Sequence, residues 1–137
     1  MSSSVKIENL SKEVMNYLKN YVEDIEDGVK EEADKVSKEA VKELKQTSPR
    51  RVGKTRKNPY WKGWSKKKDT KSKRKYVIKI YNKTNYQLTH LLENGHATKN
   101  GGRTKAQPHI KKVEEKYSEL YEKDLKEMIM RRSKQWH

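Results

Sequence analysis

Histidine, glutamate and arginine side chains crowd into residues 90–110, HLLENGHATKNGGRTKAQPHI, of this 137-residue chain. His90, His96 and His109 are the candidate metal ligands of this segment. Their gaps of six and thirteen residues fit no familiar zinc pattern, and no cysteine or nearby acidic cluster completes a ligand set. We therefore predict that the segment is not a metal site.

Acid–base catalysis needs a proton carrier and a partner that holds it and shifts its pKa. Glu93 lies near His90 and His96 in the sequence, but a neighbouring Glu and His at a helix end are common. The chain has no Gly-x-Ser-x-Gly motif, no carboxylate pair in an apolar setting and no obvious acidic cluster that would hold the metals of a nuclease. We predict that the protein is not an enzyme, with no catalytic residues and no cofactor.

Gly101 and Gly102 offer flexible backbone amides beside Arg103, which together could hold a phosphate. A phosphate-binding loop, however, requires Lys-Ser/Thr after its last glycine and a strand before the loop. Residues 97–107 lack this pattern. We interpret them as a mobile basic loop that lies near nucleic acid or near a partner protein.

The positive charge of the chain is concentrated in one segment. Residues 45–75 carry fourteen Lys/Arg against Asp69 alone, whereas residues 1–44 have a net charge of −4 and residues 76–137 a net charge of +6. Such a patch favours contact with a polyanion or an acidic protein surface. The candidate contacts are Arg50, Arg51, Lys54, Arg56, Lys57, Lys66, Lys67, Lys68, Lys71, Lys73, Arg74 and Lys75.

Tyr60, Trp61 and Trp64 are interleaved with these charges and could stack on exposed bases. We favour the alternative, in which the three aromatic rings face the core of a sheet and only the charges are solvated. Because the charges of residues 45–75 could still contact nucleic acid, the alternative function is that of a free nucleic-acid-binding protein that uses this segment.

The composition indicates a single domain with a small core, because 31% of the residues are hydrophobic and 39% are charged. Phenylalanine is absent, and three Trp and eight Tyr supply the large apolar surface. Such amphipathic rings are enriched at interfaces, which favours a subunit of an assembly. No run of 18 apolar residues and no secretory signal is present, so we expect no membrane contact.

A single long helix is predicted over residues 9–46, capped by Asn9 or Ser11 and ended by Thr47-Ser48-Pro49. Gly28 is its weak point and could mark a bend. Apolar residues recur along it at steps of three and four, as in a packed helix or a coiled coil, and we favour the packed helix. This apolar stripe comprises Val14, Leu18, Val22, Ile25, Val29, Ala33, Val36, Ala40 and Leu44, widened by Tyr17, Tyr21 and Val41.

A basic loop over residues 47–59 and a β-hairpin are predicted next. Residues 60–66 and 76–82 have the aromatic and β-branched composition of strands, and residues 67–75 form an exposed turn between them. The two strands are expected to pair in an antiparallel manner.

The C-terminal third is predicted to contain two helices. Residues 85–93 form a short helix with Asn85 as its cap, and Asn94-Gly95 stops it. Pro108 lies in the first turn of a final helix that runs to about residue 131. Its apolar residues are Ile110, Val113, Tyr117, Leu120, Tyr121, Leu125, Met128 and Ile129.

The order of these elements predicts an α+β fold: a long N-terminal helix, a small antiparallel β-sheet, a short helix and a C-terminal helix. We expect one domain over residues 1–137. Its parts are a flexible N-terminus (1–8), the long helix (9–46), the basic loop and hairpin (47–82) and the helix–loop–helix (83–137).

Residues 81–110, YNKTNYQLTHLLENGHATKNGGRTKAQPHI, and the following EEKYSELYEKDLKEMI resemble the tail-component family of long-tailed bacteriophages. The upstream TSPRRVGKTRKNPYWKGW (47–64) is similar to the SPxRTGxYxxGW segment of that family, with Val52 where threonine is usual and a longer spacing before WKGW. The resemblance covers roughly residues 47–130, with a compatible helix before it. Members are encoded between the head and tail genes and are described as head–tail joining or tail-completion proteins.

The resemblance implies a non-enzymatic virion protein that is assembled in the host cytoplasm. It implies a homo-oligomeric, hexameric ring between the portal neck and the tail tube. The implied partners are the neck or connector proteins, the tail terminator or tail tube proteins and, without sequence specificity, genomic DNA. The residues that we expect to serve assembly are Leu88, Leu91, Leu92, Asn94, Gly95, His96, Gly101, Gly102, Arg103, Pro108 and His109.

Overall fold

The computed structural model describes residues 7–50, 58–69 and 76–136, with side chains from Ser11 onward. Within these ranges the elements follow the predicted α+β order. They are α1 (Ile7–Thr47), a 3-10 turn (Tyr60–Lys62), β1 (Trp64–Asp69), β2 (Val77–Asn82), α2 (Leu88–Asn94) and α3 (Ile110–Gln135).

Helix α1 is one unbroken helix of 41 residues, as the apolar stripe predicted. It begins at Ile7, so Asn9 and Ser11 lie inside the helix and the prediction that one of them is the cap was wrong. Its end is where Pro49 indicated: the N–H of Ser48 donates to the carbonyl of Leu44 at 3.0 Å, and no further turn follows.

Helix α3 packs antiparallel along α1. Tyr17 near the start of α1 contacts Trp136 just beyond the end of α3, and Glu43 near the end of α1 pairs with Lys116 near the start of α3. The helix continues through Gly28, where we expected a weak point. A Cβ at Gly28 would lie 2.4 Å from Sδ of Met128, so the glycine allows the two helices to approach closely.

The β-hairpin forms as predicted, with antiparallel strands in register from Trp64↔Asn82 to Asp69↔Val77. The predicted bounds of β1 were wrong. Residues 60–62 form a 3-10 turn that follows the extended Pro59, and the strand starts only at Trp64. Lys67, Lys68 and Asp69, placed in the turn by prediction, belong to the strand; residues 70–75 lie outside the described residues.

The core lies where the hairpin covers the C-terminal half of α1 and the start of α3. Alternation along the strands turns one face of the hairpin towards the helices. The covering is incomplete, since a groove of about 450 Å³ remains between hairpin and helices. The buried residues of the core are Ala40, Leu44, Tyr60, Trp64 and Val113, with Val41, Ile80, Leu88, Leu92, Ile110 and Tyr117 packed against them.

Both C-terminal helices differ from prediction at their N-termini. Helix α2 starts at Leu88 with Gln87 before it, so Asn85 is not its cap; the Asn85 amide instead donates to the carbonyl of Asn58 at 3.1 Å. Helix α3 starts at Ile110, so Pro108 precedes the helix instead of lying in its first turn. Its end lies at Gln135, four residues beyond the predicted end. Gly95, with φ of 73°, follows the end of α2 as expected.

Candidate assembly site

The segment that first suggested a site consists of an anchored base and an exposed loop. In the base, Leu88 and Leu92 of α2 pack against the core, whereas 39% of Leu91 stays exposed. Two of the three predicted leucines therefore seat α2, and the third faces solvent.

Glu93 caps α3 from the neighbouring helix. Its carboxylate accepts hydrogen bonds from the backbone N–H groups of His109 at 2.7 Å, Ile110 at 2.9 Å and Lys111 at 3.1 Å. These are the amides that a helix N-terminus leaves without partners, and a negative charge there also interacts favourably with the helix dipole. In the sequence Glu93 suggested only a proton-transfer partner, because a cap supplied by another helix leaves no local pattern.

His109 is buried inside the subunit, with both ring nitrogens engaged. Nδ1 lies 2.7 Å from the carbonyl oxygen of Gln107, and Nε2 lies 2.7 Å from the hydroxyl of Tyr60. Since the carbonyl can only accept, Nδ1–H donates and Nε2 accepts from the Tyr60 hydroxyl. Burial, with a smaller contribution from the Glu93 charge, raises the pKa of Tyr60. His109 thus holds the start of α3 against the core and is not available to a partner in this conformation.

A buried asparagine joins the hairpin to the chain before it, which the sequence analysis missed. The Asn82 amide donates to the carbonyl of Tyr60 at 2.8 Å, and its oxygen accepts from the N–H of Asn85 at 2.8 Å. A Cβ at Gly63 would lie 2.5 Å from that oxygen and 2.1 Å from Oγ1 of Thr84, so this network requires glycine at position 63. An asparagine at a strand end is too common a feature to have indicated it.

Residues 96–108 form a fully exposed but hydrogen-bonded loop. The N–H of Thr98 donates to the carbonyl of Gly102, and that of Thr104 donates to the carbonyl of His96, each at 2.8 Å. Gly101 has φ of 83°, a backbone conformation that favours glycine. The side chain of His96 bonds to Oγ1 of Thr104 at 3.1 Å, so the loop presents an ordered surface.

Arg103 is the exposed charge at the base of this loop. Its backbone pairs with Ala97 in an isolated antiparallel bridge, and its guanidinium lies 3.5 Å from the carbonyl oxygen of Gly95. Like Lys99 and Lys105 it is both charged and exposed, and its backbone is in addition held by the bridge to Ala97.

In the described part of the basic segment, some of the lysines that we expected to contact a partner make contacts within the protein instead. Lys66 donates to the carbonyl of Asp34 at 3.0 Å and to Oγ of Ser37 at 3.1 Å, so it anchors the hairpin to α1. Lys67 and Lys68 are exposed and lie over tyrosine rings. The other predicted contacts, apart from Arg50, lie outside the described residues: Arg51, Lys54, Arg56, Lys57, Lys71, Lys73, Arg74 and Lys75.

The aromatic rings of this segment divide into two kinds. Tyr60 and Trp64 are buried as predicted, and the Trp64 indole N–H donates to Oγ of Ser48 at 2.7 Å. Trp61 is only half-buried, and the guanidinium of Arg50 lies 3.9 Å from its ring centroid. The prediction that all three rings face the core was therefore wrong for Trp61, whose exposed face is covered by a cation.

Within the described ranges, no group of three or more His, Cys, Asp or Glu residues could hold a metal ion. No helix there has both the length and the hydrophobicity to cross a membrane.

The fold and this segment define an α+β protein with an exposed, hydrogen-bonded loop between α2 and α3. Consistent with this class, the model of the family described as "Bacteriophage HK97-gp10, putative tail-component" matches residues 12–95, more than half of the chain. The chain belongs to this family of structural phage tail components. No curated protein and no solved structure matches it.

The matched range differs from the extent that we expected. It starts at Lys12 and so includes nearly all of α1, which we had considered only compatible with the family. It ends at Gly95, so the exposed loop and α3 lie beyond it. The family pattern is thus carried by α1, the hairpin and α2.

Proposed function

We propose that this tail component acts in tail completion or head–tail joining, as a ring of identical subunits at the junction of neck and tail. The role is structural, without catalysis. The observation that carries the proposal is the apolar stripe of α1, which stays exposed at Val14, Leu18 and Val22 although its continuation forms the core. A ring of copies would bury such surface between subunits.

The exposed loop 96–108 and the solvated charges supply contacts to other virion proteins. Arg103 and His96 stand on an ordered loop, which suits docking onto a neck, connector, tail terminator or tail tube protein with little loss of conformational freedom. In this proposal the subunit is assembled in the host cytoplasm and stays in the virion at the head–tail junction.

Removal of the gene from the phage tests this function. We expect lysates in which heads and tails accumulate unjoined, visible by electron microscopy, with joining restored by the wild-type chain supplied in trans. Mass spectrometry of purified virions should detect the chain in the wild type. Absence from virions, or normal joining without the gene, would contradict the proposal.

Contact with DNA is a second part of the proposal. It is supported by Lys67 and Lys68, which are exposed on β1 within the most basic segment of the chain. We expect binding without sequence preference that falls steeply with salt, measured by filter binding. No retention at low salt would leave an acidic protein surface as the partner of these charges. Tight binding at physiological salt by a chain absent from virions would instead favour a free nucleic-acid-binding protein.

A further inference from the structure

The apolar stripe of α1 runs past the part of the molecule that covers it. From Leu44 and Ala40 the steps of three and four lead back through Val36 and Val29 to Val22 and Leu18. Over Ala33–Leu44 the inner face of the hairpin covers the stripe. We use the name exposed stripe for the uncovered part: Val14, Met15, Leu18 and Val22, of which 49–65% is exposed.

The first turns of α1 also project beyond α3. Tyr17 contacts Trp136 at the end of α3, so α1 residues 7–16 extend past this contact for about 15 Å at the helical rise. The side chains from Ser11 to Asn16 are all exposed. An isolated helical segment of this length is marginal in water, so a protein surface that covers it would stabilise it.

The outer face of the hairpin is a second uncovered surface. Val77 and Tyr81 are more than one third exposed there, and Lys67 and Lys79 stand beside them. We use the name outer hairpin face for these four residues. A two-stranded sheet is marginally stable unless something packs on it, and in this subunit the helices cover one face only.

The part of α1 that directly follows the exposed stripe is opposite in charge to the hairpin. Residues 11–22 carry Glu13 against two lysines, whereas residues 23–32 carry six acidic residues against Lys30. Of these acidic residues, Glu23, Glu26 and Asp27 form no ion pair among the described residues. The described hairpin region, residues 58–69 and 76–83, carries six lysines against Asp69. Opposite net charges steer association and disfavour the pairing of two like surfaces.

We propose that the exposed stripe of one copy docks on the outer hairpin face of a second copy of this chain. The fold already contains the same type of contact, since the same stripe accepts the inner face of the hairpin within the subunit. Because the two surfaces are different and lie on one chain, the contact is head-to-tail and repeats until a ring closes. This contact would be the interface between neighbouring subunits of the proposed ring, and the inference therefore rests on the proposed function.

Sedimentation velocity of the purified full chain tests the stripe. We expect the wild type to assemble and Leu18→Asp to sediment as a monomer. Asn20→Asp is the matched control, because it places the same carboxylate on the same exposed helix, off the stripe, and it should assemble like the wild type. Circular dichroism confirms that Leu18→Asp remains folded.

A mixing experiment tests the head-to-tail geometry. The double variant Lys67→Glu with Tyr81→Thr damages the outer hairpin face while keeping a strand-forming residue at position 81. Lys38→Glu, on an exposed part of α1 away from the stripe, is its charge control. Each damaged variant alone should be monomeric, but a mixture with Leu18→Asp should give a 1:1 dimer, because each partner retains the surface that the other lost.

Cross-linking gives an independent readout, because the chain contains no cysteine. Leu18→Cys and Tyr81→Cys chains, mixed with a short bismaleimide, should form cross-linked heterodimers, and neither chain alone should cross-link to itself. Assembly of Leu18→Asp, a mixture that stays monomeric, cross-linking of Leu18→Cys alone, or a wild type that is monomeric up to its solubility limit would each overturn the contact. Detection of the chain in virions would then still support the proposed function, so the two failures are distinguishable.

Discussion

The two halves of α1 have the same apolar spacing but different surroundings. Residues 33–47 lie under the hairpin and beside the start of α3, and Ala40 and Leu44 are buried there. Residues 11–32 contact the C-terminal part of α3. The contacts include the rings of Tyr17 and Tyr21 against Trp136, Gly28 against Met128, and the ion pair Arg132–Asp24. The periodicity of an apolar stripe therefore does not by itself decide which part of the helix is covered within the same chain.

Truncation of Trp64 should have the largest effect, because its side chain is buried in the core between the hairpin and residues 33–47 of α1, which we call the covered half of the helix. We expect Trp64→Ala to lower the free energy of unfolding by about 3–5 kcal/mol, from the lost burial of the ring and the lost hydrogen bond from its indole N–H to Ser48. Urea denaturation followed by circular dichroism measures it. A loss below about 1 kcal/mol would mean that the hairpin does not stabilise this half of α1.

Gly63→Ala should follow in size. The new Cβ would press on the amide oxygen of Asn82, which accepts hydrogen bonds from Thr84 and Asn85, and such overpacking typically costs about 1–3 kcal/mol. The same denaturation assay applies, with Gly102→Ala in the exposed loop as the control. An equal loss at both glycines would contradict a special role for the network around Asn82.

High pH should destabilise the covered half. Burial keeps the Tyr60 pKa above its unfolded value, so the neutral form is favoured on folding. The stabilisation that comes from keeping Tyr60 neutral is therefore fully present below about pH 10, the pKa of tyrosine in the unfolded chain. Above that pH the free energy of unfolding decreases by on the order of 1 kcal/mol per pH unit. Unfolding curves between pH 8 and 11 should show a shallower decrease in Tyr60→Phe than in the wild type. Parallel curves would exclude Tyr60 as the cause.

Arg132→Met should loosen the other half without unfolding the subunit. It removes bonds to the Asp24 and Glu31 carboxylates, both at 2.8–2.9 Å, and we expect a local loss of about 1 kcal/mol. Hydrogen exchange should become faster in residues 11–31, with residues 33–47 unchanged. Uniform acceleration along α1 would show that the two halves unfold as one unit.

Leu18→Ala should have the smallest effect on the monomer. About half of this residue is exposed and it does not pack against the core of the described chain, so the free energy of unfolding at low protein concentration should change by less than about 0.5 kcal/mol. A loss comparable to that of Trp64→Ala would mean that the stripe is already buried within the subunit.

The fold could be predicted where a regular pattern extends over many residues. The long helix and the strand at 77–82 followed from apolar periodicity and β-branched composition. The bounds of β1 could not, because the aromatics of YWKGW suit a strand, while Pro59 and the close packing at Gly63 impose a turn first. The packing of Gly63 against Asn82 and Thr84 is a tertiary contact, and the composition of residues 60–64 does not predict it.

The site was predicted less well than the fold for the same reason. His109 attracted attention as a reactive group, yet its two nitrogens are fixed by Gln107 and Tyr60. Glu93 and Asn82, which organise the site, act on backbone groups distant in sequence. Their partners become apparent only once the elements are packed together.

The close approach at Gly28 has a mechanical consequence. With Met128 seated where a side chain is missing, a one-turn slide of α3 along α1 would bring that methionine against Asp24 or Glu32 and separate Arg132 from its carboxylate. The two helices therefore resist axial shear. A force applied to the projecting end of α1 would therefore be transmitted to the whole protein and not dissipated by slippage between the helices.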